Sequence, residues 1–395
     1  MRLIHVVPDI GPEAGGLGEV AIDLSRTLSA RGIDSTVWTL SSAESMEWAA
    51  NRRSLRSNEA VAFSCTGPRS VGYSLTLQRA LAGTDAEGTI VHQHGIWLGL
   101  SAAVHRWSSH AGGKVVIAPH GSLDQWAIAR SRTKKWVASR LYESANLRRA
   151  ACLHALSGEE AVALREFGLK NPIAVLPNGV NVAWAGQTLD SQSFRARHHI
   201  SPEAKVLLFL SRLHPKKGLD LLFQAIAKQG AGFQGWILLA AGSGEPAYER
   251  ELATLAASLG ISGSIRFVGH LGDPERRQAF GAAQAFVLPS RSEGFPMAAL
   301  EALACGVPVL TTTAFPGAFL AETRSGWRVP PEQQSITAAL AELTRSSRET
   351  LSAMGSRGKE YVLRDLTWER TAARVAQVYQ WLLGMQEAPE CVRLG

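Results

Sequence analysis

Short apolar runs alternate with longer stretches of helical periodicity along this chain. In the first half, Arg2–Val7, Ser35–Leu40, Thr89–His92 and Lys114–Ala118 read as strands, and Glu19–Ala30 places apolar residues at helical spacing. The alternation restarts in the second half. Val206–Leu210, Trp236–Ala241, Ile265–Val268 and Ala285–Leu288 read as strands, separated by helical patterns over Gly218–Lys228, Tyr248–Leu259 and Pro274–Ala282. Such alternation predicts βαβ units around parallel sheets. The restart predicts two Rossmann-like, doubly wound α/β domains, 1–185 and 186–364. A boundary is expected within 177–202, which is rich in Asn, Gly, Ser and Gln and holds no sustained period. The stretch 365–385 reads as a closing helix, with Trp368, Ala372, Val375, Val378, Tyr379 and Leu382 on its apolar face.

Composition narrows the class. The 395 residues are 46% hydrophobic and 19% charged, enough to bury sizeable cores and too apolar for global disorder. No apolar run approaches the ~18 residues of a membrane-spanning helix. The first strand enters a Pro/Gly loop rather than an A-x-A cleavage site, so no signal peptide is expected. Four cysteines, Cys65, Cys152, Cys305 and Cys391, form no C-x-x-C pair, which points to a reduced, cytoplasmic setting. The formal net charge of +7 is modest for the length. Its placement says more, because Trp126–Ala150 carries seven cations against one acid, Glu143, interleaved with Trp126, Trp136, Leu141 and Tyr142. A basic helix with aromatics suits an anionic membrane surface. A solvated helix packed by its aromatics has the same composition, and no nucleic-acid module is visible.

The polar residues worth chemistry cluster in strand-to-helix loops, where open α/β sheets bind ligands. Two facing domains would form a cleft at that edge. After Val206–Leu210 come Arg212, His214, Lys216 and Lys217, a planar fork and point charges suited to a diphosphate, or a solvated basic loop. After Ala285–Leu288 comes Glu293-Gly294-Phe295-Pro296, with Pro296 suited to the first turn of a helix that carries Glu301. A carboxylate that accepts two hydroxyl protons clamps a sugar, and a helix N-terminus offers amides to a phosphate. The same two glutamates also suit a helix start and a surface charge. Gly242 and Gly244 allow close approach of a ligand after Trp236–Ala241, or form a plain turn.

In the first half, Gly15, Gly16 and Gly18 lie between strand and helix, and Gly16–Ala21 fits G-x-G-x-x-A. A nicotinamide site is disfavoured: the loop from Pro8 is long, and no acid ends the second strand at Thr39-Leu40-Ser41. His120 follows Lys114–Ala118 and would point into the cleft. His92, His94 and His120 could be grouped as metal ligands, but no carboxylate completes the set, so no metal is expected. There is no Walker A motif and no G-x-S-x-G elbow.

Together these motifs resemble the retaining, GT-B-fold glycosyltransferases of family 4 (group 1), of the bacterial exopolysaccharide and lipopolysaccharide type. The resemblance runs along nearly the whole chain. Its most specific part is the E-x7-E block from Glu293 to Glu301. Arg212 and Lys217-Gly218 match G-R-L-x-x-x-K-G with Ser211 in place of Gly, and Asn178-Gly179-Val180 matches P-N-G-V. Gly15-Gly16 occupies the N-terminal glycine loop. His120–Ala127 is similar to H-G-M-L-D-P-W-A, with Ser122 and Gln125 as departures. Phe295-Pro296 replaces the commoner Phe-Gly.

The resemblance implies a nucleotide-sugar donor and a metal-independent reaction with no cofactor. Arg212 and Lys217 would hold the diphosphate, Glu293 the transferred sugar and Glu301 the ribose. Gly294 and Phe295 would offer amides, and His120 would lie near the reacting carbon. The turn at His270 would touch the base. The acceptor implied is a lipid-linked or oligosaccharide one, at the inner face of the cytoplasmic membrane. A sugar-nucleotide epimerase, a non-catalytic binding module and an NAD-dependent oxidoreductase are the alternatives.

Overall fold

The computed structural model describes residues 1–11, 15–124, 128, 132–185 and 191–394. Two compact units divide the chain. The first is Met1–Gly179 with Trp368–Gly395, and the second is Val180–Thr367. The division thus lies at 179/180, not 185/186: Val180–Ala185 packs with the second unit, where the 3₁₀ turn Val182–Trp184 buries Trp184.

In the first unit the strands are β1 (Arg2–Val7), β2 (Asp34–Thr39), β3 (Ala60–Ala62), β4 (Thr89–His94), β5 (Lys114–Ala118), β6 (Cys152–Ala155) and β7 (Ile173–Val175). The second unit contributes β8 (Lys205–Leu210), β9 (Trp236–Ala241), β10 (Ile265–Gly269), β11 (Ala285–Leu288), β12 (Val309–Thr312) and β13 (Gly326–Val329). The chain then returns to the first unit through the helix Trp368–Leu382 and β14 (Val392–Arg393).

The first sheet has the order β14-β7-β6-β5-β4-β1-β2-β3, and the second β10-β9-β8-β11-β12-β13. All pairings are parallel except β14 on β7. Helical crossovers cover both faces of a parallel sheet, so central strands must be apolar throughout. β11 is buried at every position, and β1 at every position after Arg2. The closing helix earns its place by burying Trp368, Ala372, Val375, Val378 and Tyr379 along one stripe.

One buried strand departs furthest from this rule. β4, TIVHQH, is buried throughout and ends in polar residues. His5 of β1 is in register with His92, and His94 is in register with Ala118 of β5. Side chains alternate across a strand, so His5, His92 and His94 share one face of the sheet at its carboxyl end.

Candidate active site

In the second unit the loops after β8, β9 and β11 are fitted to one another at backbone distance. Gly218 has φ +69°, and a Cβ there would stand 2.1 Å from the Pro289 carbonyl oxygen. Gly242 has φ +136°, and its Cβ would stand 1.9 Å from the Ser211 oxygen. Only glycine satisfies both the backbone angle and the space. Arg291 locks the assembly: its guanidinium pairs with Asp220 at 2.7 Å and donates to the Pro215 carbonyl at 2.8 Å.

Within this frame Lys217 and Glu293 meet. The Lys217 ammonium lies 2.6 Å from Glu293 Oε1, with the two side chains only 13% and 7% exposed. Ser290 Oγ donates to the same carboxylate oxygen at 2.5 Å. Arg212 lies exposed and makes no hydrogen bond or ion pair among the described residues. His214 is drawn into the loop, its Nδ1 accepting from the Lys216 amide at 3.0 Å. Gly294 is half-buried, and Phe295 is buried against Phe315. Pro296 is the N-cap residue of the helix Met297–Ala304, one position before the first turn where it was expected. Gly244 bridges to Leu213, and Gly242 donates to the Gly269 carbonyl. His270, just past β10, is exposed.

Glu301 is buried in that helix and already has a cation. Arg276, from the helix Asp273–Ala282, places one guanidinium nitrogen 2.6 and 2.5 Å from its two oxygens. The same guanidinium lies over the Trp184 ring, 5.4 Å from its centroid. Sequence reasoning missed Arg276, Ser290, Arg291 and Asp220. Arg276 lies 25 positions before Glu301, in a separate helix, so no local spacing marks it.

In the first unit His120 sits in the left-handed region at φ +53°, uncommon for a residue with a Cβ. Two contacts fix it there. Glu160, half-buried, accepts from the Gly121 amide at 2.6 Å and from the Leu156 amide at 2.7 Å, tying the loops after β5 and β6 together. His94 Nδ1 meets His120 Nε2 at 3.1 Å.

Behind His94 the structure assembles more histidines than the grouping of His92, His94 and His120 foresaw. His5 Nδ1 lies 3.0 Å from His94 Nε2, and His154 Nδ1 lies 3.3 Å from His92 Nε2. His92 Nδ1 lies 2.7 Å from the Tyr379 hydroxyl, and His154 Nε2 lies 2.8 Å from the Leu176 carbonyl. Burial lowers every ring's proton affinity, to about 3 for His5 and His120 and about 4 for His154. His92 and His94 fall well below the usual range for the same reason. His5, His92 and His94 offer ring nitrogens within 4.8 Å of one another, a metal-like grouping, yet His92 and His94 each have both nitrogens within reach of a hydrogen-bond partner.

The glycine loop differs from expectation in one respect. The helix starts at Gly16, with Gly15 as its N-cap, so Gly16 and Gly18 belong to its first turn rather than to the loop. Thr39 and Ser41 hydrogen-bond each other where β2 ends, and Ser41 reaches Asp9.

The basic segment is not one helix. Trp126, Ala127 and Arg130, with Gln125, lie outside the described residues. The rest forms a helix Arg132–Ala138, a π-helical turn Ser139–Glu143 and a helix Ser144–Arg149. Its acid, Glu143, is turned inward to accept from the Trp97 amide at 2.6 Å and from Asn146. The outward side keeps Arg132, Lys134 and Arg140 with Trp136, Val137 and Leu141, the last 73% exposed. Among the described residues no helix is long and apolar enough to cross a membrane.

Two parallel-sheet Rossmann-like units of this kind define the GT-B class of glycosyltransferases. The structure superposes with TM-score 0.78 on HepE from Anabaena in complex with UDP and glucose, at 18% identity, over 96% of this chain and 99% of that one. It matches sucrose-phosphate synthase from Thermosynechococcus elongatus with the same score at 19% identity, over 98% and 100% of the two chains. In sequence, the family description Glycosyl transferases group 1 matches residues 190–361, and Glycosyltransferase Family 4 matches residues 14–184. Along 97% of its length the chain is 27% identical to GDP-mannose:cellobiosyl-diphosphopolyprenol alpha-mannosyltransferase of Komagataeibacter xylinus, covering 94% of that protein. It is 31% identical to D-inositol 3-phosphate glycosyltransferase of Streptomyces bingchenggensis over 73% of this chain and 66% of that one. The chain belongs to the group 1 glycosyltransferases and is an enzyme that uses a nucleotide-sugar donor.

Proposed function

We propose that this enzyme is a metal-independent, retaining glycosyltransferase that moves a hexose from a nucleoside diphosphate to a lipid-linked saccharide in bacterial surface-polysaccharide assembly. The observation that carries the donor half is the meeting of Lys217 and Glu293 in the fitted loops after β8 and β11, with Glu301 buried in the helix that follows. Glu293 and the amides of Gly294 and Phe295 would take the sugar, Glu301 the ribose, Arg212 and Lys217 the diphosphate, and the turn at His270 the base. Gly242 and Gly244 would let the nucleotide approach the backbone. His120 and the Gly15-Gly16 loop belong to the sugar and acceptor side.

Transfer breaks the bond from the anomeric carbon to the β-phosphate oxygen and forms one from that carbon to the acceptor oxygen on the same face. The acceptor proton leaves with the departing phosphate. Positive charge develops on the sugar and negative charge on the diphosphate, so fixed cations and amide dipoles at the leaving group lower the barrier.

The lipid-linked acceptor rests on two supports. The mannosyltransferase similar along nearly the whole chain carries a diphosphopolyprenol acceptor in its name. The basic segment, with its acid turned inward, presents cations and bare apolar side chains together, which suits an anionic membrane surface. Thermal shifts with UDP, GDP, ADP and dTDP test the donor, with one nucleotide expected to stabilise selectively. Transfer of labelled mannose from GDP-mannose to a polyprenyl-diphosphate saccharide tests the acceptor. Turnover of donor without an acceptor to an epimerised sugar would favour the epimerase instead.

A further inference from the structure

The buried histidines form two hydrogen-bonded rows, and their proton positions follow from the groups at the ends. The first row is Tyr379–His92–His154–Leu176. A carbonyl only accepts, so His154 carries its proton on Nε2 toward Leu176. A neutral imidazole has one N–H, so His154 Nδ1 accepts from His92 Nε2, and His92 Nδ1 accepts from the Tyr379 hydroxyl. Every partner is satisfied with no charge.

The second row, His5–His94–His120, has a different end. His5 Nε2 is buried with no hydrogen-bond partner among the described residues. Buried N–H groups without an acceptor are rarer than under-used acceptors. The unpartnered nitrogen is therefore the bare one, and His5 carries its proton on Nδ1. His5 Nδ1 then donates to His94 Nε2, and His94 Nδ1 donates to His120 Nε2. His120 is left with its proton on Nδ1. The row is also a dead end: a proton entering at His120 could only be stored as a buried imidazolium. Among the described residues the rings beside it are His92 and His154, and the Glu160 carboxylate on the adjoining loop is taken up by the Gly121 and Leu156 amides.

We infer that His94, backed by His5, is a positioning residue that holds His120 as a neutral ring presenting an Nδ1–H donor to the oxygen of a bound sugar hydroxyl or phosphate. The tautomer follows from the free protein alone. The bound oxygen rests on the proposed transferase reading. This assignment also makes His120 a poor general base, since its only lone pair is taken up by His94.

The test is a nitrogen-resolved imidazole spectrum of the full chain labelled with ¹⁵N-histidine, at neutral pH and without ligand. The expected pattern is split: His5, His94 and His120 protonated on Nδ1, and His92 and His154 on Nε2. His120 found as the Nε2–H form or as imidazolium overturns the assignment, whatever the enzyme transfers. A kinetic arm uses release of GDP from GDP-mannose, or of UDP from UDP-glucose if that is the donor found. His94→Phe should lower kcat at least tenfold with donor KM changed less than threefold, and the His120 resonances should lose their single tautomer. His94→Asn, whose amide nitrogen stands near the place of Nδ1, should recover part of kcat. Unchanged kcat in His94→Phe overturns the positioning role. Absence of any nucleotide-sugar turnover in the wild type overturns the transferase reading and leaves the tautomer pattern to be judged on its own spectrum.

Discussion

Lys217 and Glu293 stand 2.6 Å apart, nearly buried, on loops that follow two adjacent strands of the second sheet. The two residues proposed to hold the diphosphate and the sugar are one ion pair before any ligand arrives. Removing one partner of such a pair strands the other charge, at a cost of about 3–5 kcal/mol. Glu293→Gln should therefore shift the denaturation midpoint strongly. The double variant Lys217→Met/Glu293→Leu should recover most of that loss, since neither charge is left unpaired. A Glu293→Gln protein as stable as wild type would show that the pair is not formed in solution.

Arg276 should matter as much as the glutamate it holds. Its guanidinium partners a carboxylate that is 6% exposed. Without it, that charge is stranded in a nearly buried place, and the carboxylate proposed to take the ribose loses its anchor. Arg276→Met should weaken nucleoside diphosphate binding about tenfold, as for one hydrogen bond to a charged group. Calorimetric titration decides this. Equal or tighter binding in the variant would mean that Arg276 obstructs the site.

The histidine rows give the first unit an acid-sensitive core. His5, His92, His94 and His154 are fully buried with lowered proton affinity, so the unfolded chain binds protons that the folded chain refuses. Their stabilising effect is complete above the ordinary value of 6.5 and is lost as pH falls toward about 3 to 4. Each can contribute a slope of up to about 1.4 kcal/mol per pH unit. Melting temperature should fall steadily below pH 6.5, and His154→Gln should flatten the fall. A flat profile from pH 7 to 4.5 would mean that the rings are accessible to protons.

Reversing charge at Lys134, Lys135 and Arg140 should release the protein from vesicles containing anionic lipid. Leu141→Asp should do so with little change in melting temperature, because that side chain is exposed. Binding of the wild type should weaken as salt is raised. Sedimentation with vesicles unaffected by these changes would remove the membrane from the account.

The two α/β series were legible because buried parallel strands are apolar runs and their helices keep a strict period. β11 and β5 span Ala285–Leu288 and Lys114–Ala118 as expected. Short edge elements were not: β7 and β14 hold too few residues to show a pattern, and β14 is a strand only because β7 offers an open edge. The loops carrying Lys217 and Glu293 were visible because charge after an apolar strand stands out. Partners such as Arg276 and Glu160 were invisible, since helix packing brings them to Glu301 and Gly121 from distant positions. The histidine rows needed strand register. Nothing in the sequence sets His5 beside His92 until β1 and β4 are paired.

The most direct test is nucleotide binding to wild type, Lys217→Ala and Glu301→Ala, read with transfer kinetics for the nucleotide sugar that binds. A hydrogen bond to a charged group contributes roughly 1.5–3 kcal/mol, or about 10- to 150-fold. Glu301→Ala should raise the donor KM by that order. Lys217→Ala should lower kcat more than it weakens binding, because charge on the departing diphosphate grows in the transition state. Wild-type constants in both variants would mean that the nucleotide sugar binds elsewhere.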